Sequence, residues 1–207
     1  MSTAKLIRWS GMASILAGVL YWIGLPGAAE ISPVVSHYPG HWLFGLAGLF
    51  TLLGLVGMSA YDAGRSGRLG KAGIVIGIIA GALVFIGNSA EAIIHSDSPN
   101  SWTSQVYGLG QFGIFIVPLL LGIATLRAKS LPRWSAWTFI VASSTLIALL
   151  VIFSITMSAT DIDQTTFQTI PSLVALTYLS AIALGAPWLA LGYVLWSSKG
   201  VTETKST

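Results

Sequence analysis

Three polar side chains interrupt the end of an otherwise apolar segment, namely Asn88, Glu91 and His95. They are three and four residues apart, so a helix would place them on one face. A carboxylate beside an imidazole can supply a general acid and base. The same pair can contribute two ligands to Zn²⁺ or another divalent metal. The spacing therefore indicates a candidate site at this position.

Polar residues at the ends of other apolar segments are predicted to join this face in one pocket. Besides the three residues of the stripe, the predicted pocket contains Glu30, His41 and Tyr107. The predicted metal ligands are His37, His41, His95 and Glu91. His37 and His41 are four residues apart, but Pro39 and Gly40 lie between them, so we expect that they do not share a helix.

Haem is a separate possibility, because a bundle can hold one iron between histidines on facing helices. His41 and His95 are the candidate axial ligands for a single haem. The chain has three histidines, which excludes the second pair that a two-haem electron path would need.

Each of these side chains also has a structural interpretation. Glu91 would then bond a Tyr or Ser of a neighbouring helix, and His95 would terminate its own helix near the negative end of the helix dipole. His41, directly before Trp42, would lie at a membrane interface. The residues alone leave both interpretations open, and both require the stripe to face away from lipid.

The elements that position these residues are predicted from composition and length. Of the 207 residues, 54% are hydrophobic and 8% are charged, with a mean hydropathy of +0.80. Soluble domains carry about 25% charged residues, so the chain is predicted to be a multi-pass membrane protein in a lipid bilayer. Six apolar segments, roughly 9–29, 41–61, 72–94, 105–126, 134–157 and 170–196, are each long enough to span a bilayer. The predicted fold is one all-α domain of six transmembrane helices, the first of them a retained span.

The basic residues predict the orientation. All ten Lys and Arg residues precede the first segment, follow the last, or lie between segments 2 and 3 or 4 and 5. The positive-inside rule makes that side cytoplasmic, with both termini inside. The other loops contain or adjoin five acids: Glu30, Glu91, Asp97, Asp161 and Asp163. The scattered basic residues do not indicate nucleic-acid binding, and the absence of cysteine excludes disulfides and thiolate metal sites.

Two patterns predict how the helices pack. Gly73, Gly77 and Gly81 form a small-residue stripe that continues into the polar stripe, so this face should be the close-packed face of the third helix. The sequence RWSGMASILAGVL at 8–20 is similar to RWSAWTFIVASSTL at 133–146, which suggests three repeated helical hairpins. The alternative is that apolar, Gly-rich helices are similar by chance.

Two stretches resemble uncharacterised bacterial six-span membrane proteins of the DUF4386-like kind. They are GHWLFGLAGLFTLLGLVGM, and PLLLGIATLRAKSLPRWSAWTFIVASSTLI across segments 4 and 5. The resemblance covers about half of the chain. It implies a protein of the bacterial cytoplasmic membrane and carries over no catalytic residue.

Three functions are compatible with these observations. The leading hypothesis is a non-enzymatic membrane protein, an accessory subunit of a complex, because no catalytic motif is present and the cytoplasmic loops are too short to bind a nucleotide. Its partners would be other membrane proteins or further copies of the chain. The alternative is a membrane-embedded enzyme, metal-dependent or not, that acts on a lipid-like substrate in the outer pocket. A transporter is the third, although no charged residue lies in the middle of a span.

Overall fold

Six long helices make up the computed structural model, which describes residues 2–62, 64–95, 101–160 and 171–198. They are α1 (Thr3–Ala28), α2 (His37–Asp62), α3 (Gly67–Ile94), α4 (Trp102–Ala128), α5 (Arg133–Thr160) and α6 (Pro171–Ser197). All six contain a segment long and apolar enough to cross a membrane. The predicted all-α fold with six spanning helices is confirmed. Asp97, Asp161, Asp163, Lys199 and Lys205 lie outside the described residues.

Most helices extend beyond the apolar segments that predicted them. α1 begins six residues earlier than expected, and α2 begins at His37 rather than at residue 41. The prediction that His37 and His41 do not share a helix was therefore wrong. Pro39 is the third residue of α2, where its missing N–H would have no partner within the helix in any case.

The helices form a ring in chain order. Each helix packs against its sequence neighbours, and α6 returns to pack against α1. Large side chains fill the space within the ring, and the largest fully buried ones include Trp188, Tyr21, Phe139 and Leu55. We call the end at which α1, α3 and α5 begin the basic end, since Lys5, Arg8 and the two loops rich in Arg and Lys lie there. The opposite end, with all three histidines, is the histidine end.

Glycine controls how closely the helices approach. A Cβ on Gly11 would lie 2.7 Å from the backbone N of Trp196, and one on Gly192 would lie 2.6 Å from the carbonyl oxygen of Gly11. Gly18 and Gly185 repeat this backbone contact farther along the same two helices. Small residues thus let α1 and α6 touch backbone to backbone, as helices in lipid often do.

The small-residue stripe of α3 faces the bundle, as predicted. Gly73, Gly77 and Gly81 are all buried. Added Cβ atoms there would contact Leu121 of α4, Leu55 of α2 and Leu52 of α2, respectively. The opposite face of α3 presents exposed Val and Ile side chains, among them Val75, Ile79 and Ile86. α3 therefore has one packed face and one face suited to lipid.

Candidate functional site

The three polar residues of the stripe on α3 differ in burial: the first two are buried and the last is exposed. Asn88 and Glu91 are buried, at 1% and 3% exposure, whereas His95 is exposed. His95 ends the helix in the left-handed conformation, with φ 53°, and its backbone N–H donates to the carbonyl oxygen of Glu91 at 2.9 Å. The prediction that the stripe faces the bundle holds for Asn88 and Glu91 and was wrong for His95. A terminal left-handed residue turns out of the helical register, which explains the exposure.

Asn88 connects α3 to α2 through His41. The Nδ2 of Asn88 donates to the carbonyl oxygen of Val84 at 2.9 Å, and its Oδ1 lies 2.7 Å from Nδ1 of His41. An amide oxygen only accepts, so His41 must carry a proton on Nδ1 to donate here. The buried imidazole is thereby fixed in orientation and in tautomer.

Glu91 connects α3 to α4. Its Oε2 accepts a hydrogen bond from the hydroxyl of Thr103, which is buried in the first turn of α4. Ser101 lies 2.7 Å from the Thr103 hydroxyl and caps α4 by accepting from the backbone N–H of Ser104 at 3.1 Å. Because Thr103 uses its proton toward Glu91, Ser101 must donate to Thr103. The hydroxyls thus form a directed chain that ends on the carboxylate.

Thr103 was missed by the sequence analysis. A signal for it exists in the helical period of α4: Thr103, Gly110, Ile114, Val117 and Leu121 recur at spacings of three, four and seven residues and are all buried. This period marks Thr103 as an inward-facing residue. The expected partner of Glu91 was a Tyr or Ser, so the structural interpretation identified the kind of bond but not the residue that makes it.

The remaining predicted residues lie around these two hydrogen bonds. His37 Nδ1 is 2.9 Å from the carbonyl oxygen of Ala28 and 3.2 Å from Oε1 of Glu30, which ties the start of α2 to the end of α1. The ring of His41 lies 4.6 Å from that of His37 and 5.5 Å from that of Tyr107. We call Glu30, His37, His41, Asn88, Glu91, Thr103 and Tyr107 together the histidine-end cluster.

His95 has a different neighbour. Its ring centroid lies 4.0 Å from that of Tyr38, on the exposed side of α2 and α3. His41 is buried and bonded to Asn88, so the two predicted haem ligands have different surroundings.

The predicted metal ligands do not form a cluster. Within the described residues, no group of three or more His, Asp and Glu side chains is arranged to hold a metal ion. Nδ1 of His41 is bonded to Asn88 and Oε2 of Glu91 to Thr103, while His95 is exposed. The contacts described for the four residues are hydrogen bonds, an ion pair and ring contacts.

A second buried carboxylate lies at the basic end, and the sequence analysis missed this one as well. Asp62, the last residue of α2, is 4% exposed. It accepts from the backbone N–H of Ser66 at 3.0 Å and from the Ser66 hydroxyl at 2.5 Å. The Ser66 hydroxyl is also 3.4 Å from that of Ser130, which follows α4. The sequence pattern that indicates this buried Asp62 is an acid followed four residues later by a serine that directly precedes the next helix.

An apolar groove lies between α5 and α6. It has a volume of about 630 Å³. Its lining consists of Trp134, Trp137, Thr138, Val141, Ala142, Thr145, Leu149, Leu179, Ile182, Ala183 and Ala186. None of these side chains titrates, and none belongs to the helices that build the histidine-end cluster. The groove and the cluster are thus separate features.

No protein-family model, curated protein or solved structure matches this chain. The resemblance to DUF4386-like proteins stays a prediction.

Proposed function

We propose that this chain is a non-enzymatic accessory subunit of a membrane complex, and that the groove between α5 and α6 receives a transmembrane helix of a partner protein. The observation that carries the proposal is the groove itself, a volume of about 630 Å³ with an entirely uncharged lining.

The shape of the lining favours a helix as the occupant. Ala142, Ala183 and Ala186 contribute only methyl groups, while Trp137, Leu149 and Leu179 are much larger. Small residues in membrane helices allow a second backbone to approach closely, and the larger neighbours then contact its sides. The few polar groups of the lining are the hydroxyls of Thr138 and Thr145 and the indole N–H groups of its two tryptophans.

The groove also lies where the chain packs least closely against itself. Among the described residues, the interfaces of α5 with α4 and with α6 are the two smallest between sequence neighbours. α5 contains no glycine, and the glycines Gly185 and Gly192 of α6 are used against α1. An unfilled seam between two helices leaves dispersion contacts unmade, and a partner helix would make them.

The hydrogen bonds of the histidine-end cluster favour a structural role for its side chains over a catalytic one. Its hydrogen bonds join α2 to α3 through His41 and Asn88, and α3 to α4 through Glu91 and Thr103. Side chains committed to such bonds hold helices together. An enzyme that used this cluster would need its groups free for a substrate, whereas Nδ1 of His41 and Oε2 of Glu91 are bonded within the protein. The apolar groove would also accept an acyl or isoprenoid chain, which makes a bound lipid the competing outcome.

Site-specific photo-crosslinking separates these outcomes. A photoreactive residue at Val141, in the groove and 58% exposed, should crosslink to one protein in the native membrane. Val75 on α3 is the matched control, since it is 56% exposed and faces away from the bundle. Ala186→Leu should abolish the Val141 crosslink by filling the groove, whereas Ala72→Leu, at an exposed position of α3, should not.

Identification of the adduct by mass spectrometry decides the proposal. A single protein, or a second copy of this chain, crosslinked from Val141 but not from Val75 supports a subunit role. Adducts of lipid alone at Val141, or equal protein crosslinking from both positions, would contradict it.

The proposed location is the bacterial cytoplasmic membrane with the basic end in the cytoplasm. In support, the eight described Lys and Arg residues all lie at that one end of the helices, as the positive-inside rule requires. Reporter fusions in the turn at residues 64–66 and in the segment at 31–36 would test it. An external signal from the first fusion would overturn the orientation.

A further inference from the structure

A notch at the basic end is lined by arginines. It has a volume of about 280 Å³ and lies where the turn between α2 and α3 meets the end of α4. Three arginines belong to its lining, namely Arg65, Arg68 and Arg127. The rest of the lining is uncharged and consists of Ser66, Gly67, Leu69, Ala124 and Ala128. Three like charges around one small cavity repel one another, and an anion bound there would reduce this repulsion.

The Arg65 side chain is held in position before any ligand arrives. Its Nε donates to the carbonyl oxygen of Asp62 at 3.0 Å, and its Nη2 donates to that of Tyr61 at 2.8 Å. The guanidinium also lies 5.6 Å from the centre of the Tyr61 ring. These contacts fix a planar group with further donors, and such preorganisation reduces the entropic cost of binding an anion.

One acid beside the lining, Asp62, offsets part of the positive charge of the three arginines but not all of it. The carboxylate of Asp62 is buried and accepts from the backbone and the hydroxyl of Ser66. No Asp or Glu belongs to the lining. The backbone at the start of α3 adds to the positive potential, because the Ser66 side chain does not cap that helix and helix N-termini favour anions.

We propose that this notch binds the phosphate group of an anionic membrane phospholipid, with Arg65, Arg68 and Arg127 as its ligands. Guanidinium groups match phosphate oxygens with paired hydrogen bonds. The notch lies at the ends of α2, α3 and α4, each of which is long and apolar enough to span the membrane, so a headgroup can occupy it while the acyl chains remain in the bilayer. The inference is independent of the partner helix proposed for the groove.

Lipid binding to the full chain in detergent, followed by native mass spectrometry, tests the proposal. Phosphatidylglycerol should bind the wild-type protein at least about tenfold more tightly than phosphatidylcholine, because only the former carries a net charge. The double variant Arg68→Gln/Arg127→Gln should lose at least about tenfold more phosphatidylglycerol affinity than a double variant that removes two charges outside the notch. The matched control is Lys5→Gln/Arg8→Gln, which removes two charges from the same end of the bundle but on α1. A general surface attraction costs roughly fivefold for each charge removed, wherever the charge lies.

A steric variant keeps the test independent of charge and of folding defects. Ala128→Leu fills the notch and leaves all three arginines in place, so it should also weaken phosphatidylglycerol binding severalfold without changing phosphatidylcholine binding. Equal losses in the two double variants, or unchanged binding in Ala128→Leu, would overturn the proposal. Inorganic phosphate is the second probe. If millimolar phosphate displaced the lipid and bound as tightly by itself, the notch would be a site for the free ion and the lipid assignment would be wrong.

Discussion

Two carboxylates, one at each end of the bundle, are similarly buried but have different kinds of hydrogen-bond partner. Glu91 at the histidine end depends on Thr103, a residue of another helix that lies beyond the intervening loop. Asp62 at the basic end bonds Ser66 within a single turn, and one of the donors is a backbone N–H. A tertiary hydrogen bond forms only when two helices dock correctly, whereas a local one forms with the turn itself. We therefore expect Glu91 to report on helix packing and Asp62 on the local turn.

The largest effect is expected at Glu91. Glu91→Leu removes the acceptor that ends the hydroxyl chain from Ser101 through Thr103, and a buried donor left without a partner costs about 1–3 kcal/mol. Glu91→Gln keeps an amide oxygen that can accept from Thr103 and should cost less than half as much. Thermal unfolding in detergent, followed by circular dichroism, measures both. If Gln and Leu were equally destabilising, the hydrogen bond from Thr103 would not be what stabilises the packing of α3 against α4.

Asn88 should rank next. Asn88→Leu leaves the Nδ1–H of buried His41 without an acceptor, for which we expect a loss of about 2 kcal/mol in unfolding free energy. Adding His41→Phe should recover most of that loss, since replacing both partners by apolar groups can be nearly neutral. The free energies of the two single variants and the double variant form a thermodynamic cycle. An additive double variant would mean that His41 and Asn88 are not coupled.

A smaller effect is expected at the basic end. Asp62→Ala removes the acceptor for the backbone N–H of Ser66, comparable to the loss of a helix cap, about 1 kcal/mol. Ser66→Ala removes only the hydroxyl bond and should cost less than Asp62→Ala. The same unfolding measurement applies. If Asp62→Ala lost more unfolding free energy than Glu91→Leu, the proposed distinction between a carboxylate bonded within its own turn and one bonded to another helix would be wrong.

The smallest effects are expected where helices end in the left-handed conformation. Lys129 at the end of α4 has φ 51°, and His95 at the end of α3 has φ 53°. Lys129→Gly should stabilise the protein by up to about 1 kcal/mol, because glycine adopts this conformation without strain. His95→Gly relieves the same strain but loses the ring contact with Tyr38 at 4.0 Å, so it should gain less or nothing. Equal gains at both ends in unfolding experiments would show that the contact between His95 and Tyr38 contributes no stability.

Much of the fold could be predicted from residue types because the bilayer restricts the choices so strongly. The runs of apolar residues predicted six spanning helices. The helical spacing of Gly77, Gly81, Asn88 and Glu91 predicted which face of α3 packs inward. The helix starts were less predictable. α2 can begin at His37 because a proline in the first turn of a helix, here Pro39, breaks no hydrogen bond. The period of apolar residues does not show where a helix with a polar first turn begins.

The sequence by itself determined the number of spans, the basic and histidine ends, and the inward stripe of α3, since each follows from the cost of exposing charge or backbone to lipid. Only the tertiary structure decided that Glu91 pairs with Thr103, that His41 pairs with Asn88, and that His95 turns outward. It also decided that the seam between α5 and α6 stays open. Partner choice depends on the rotation and separation of helices, and residues far apart in the chain meet only after the helices dock. Glycine contacts help to set that separation, such as Gly48 on Gly81 between α2 and α3 and Gly87 on Tyr107 between α3 and α4.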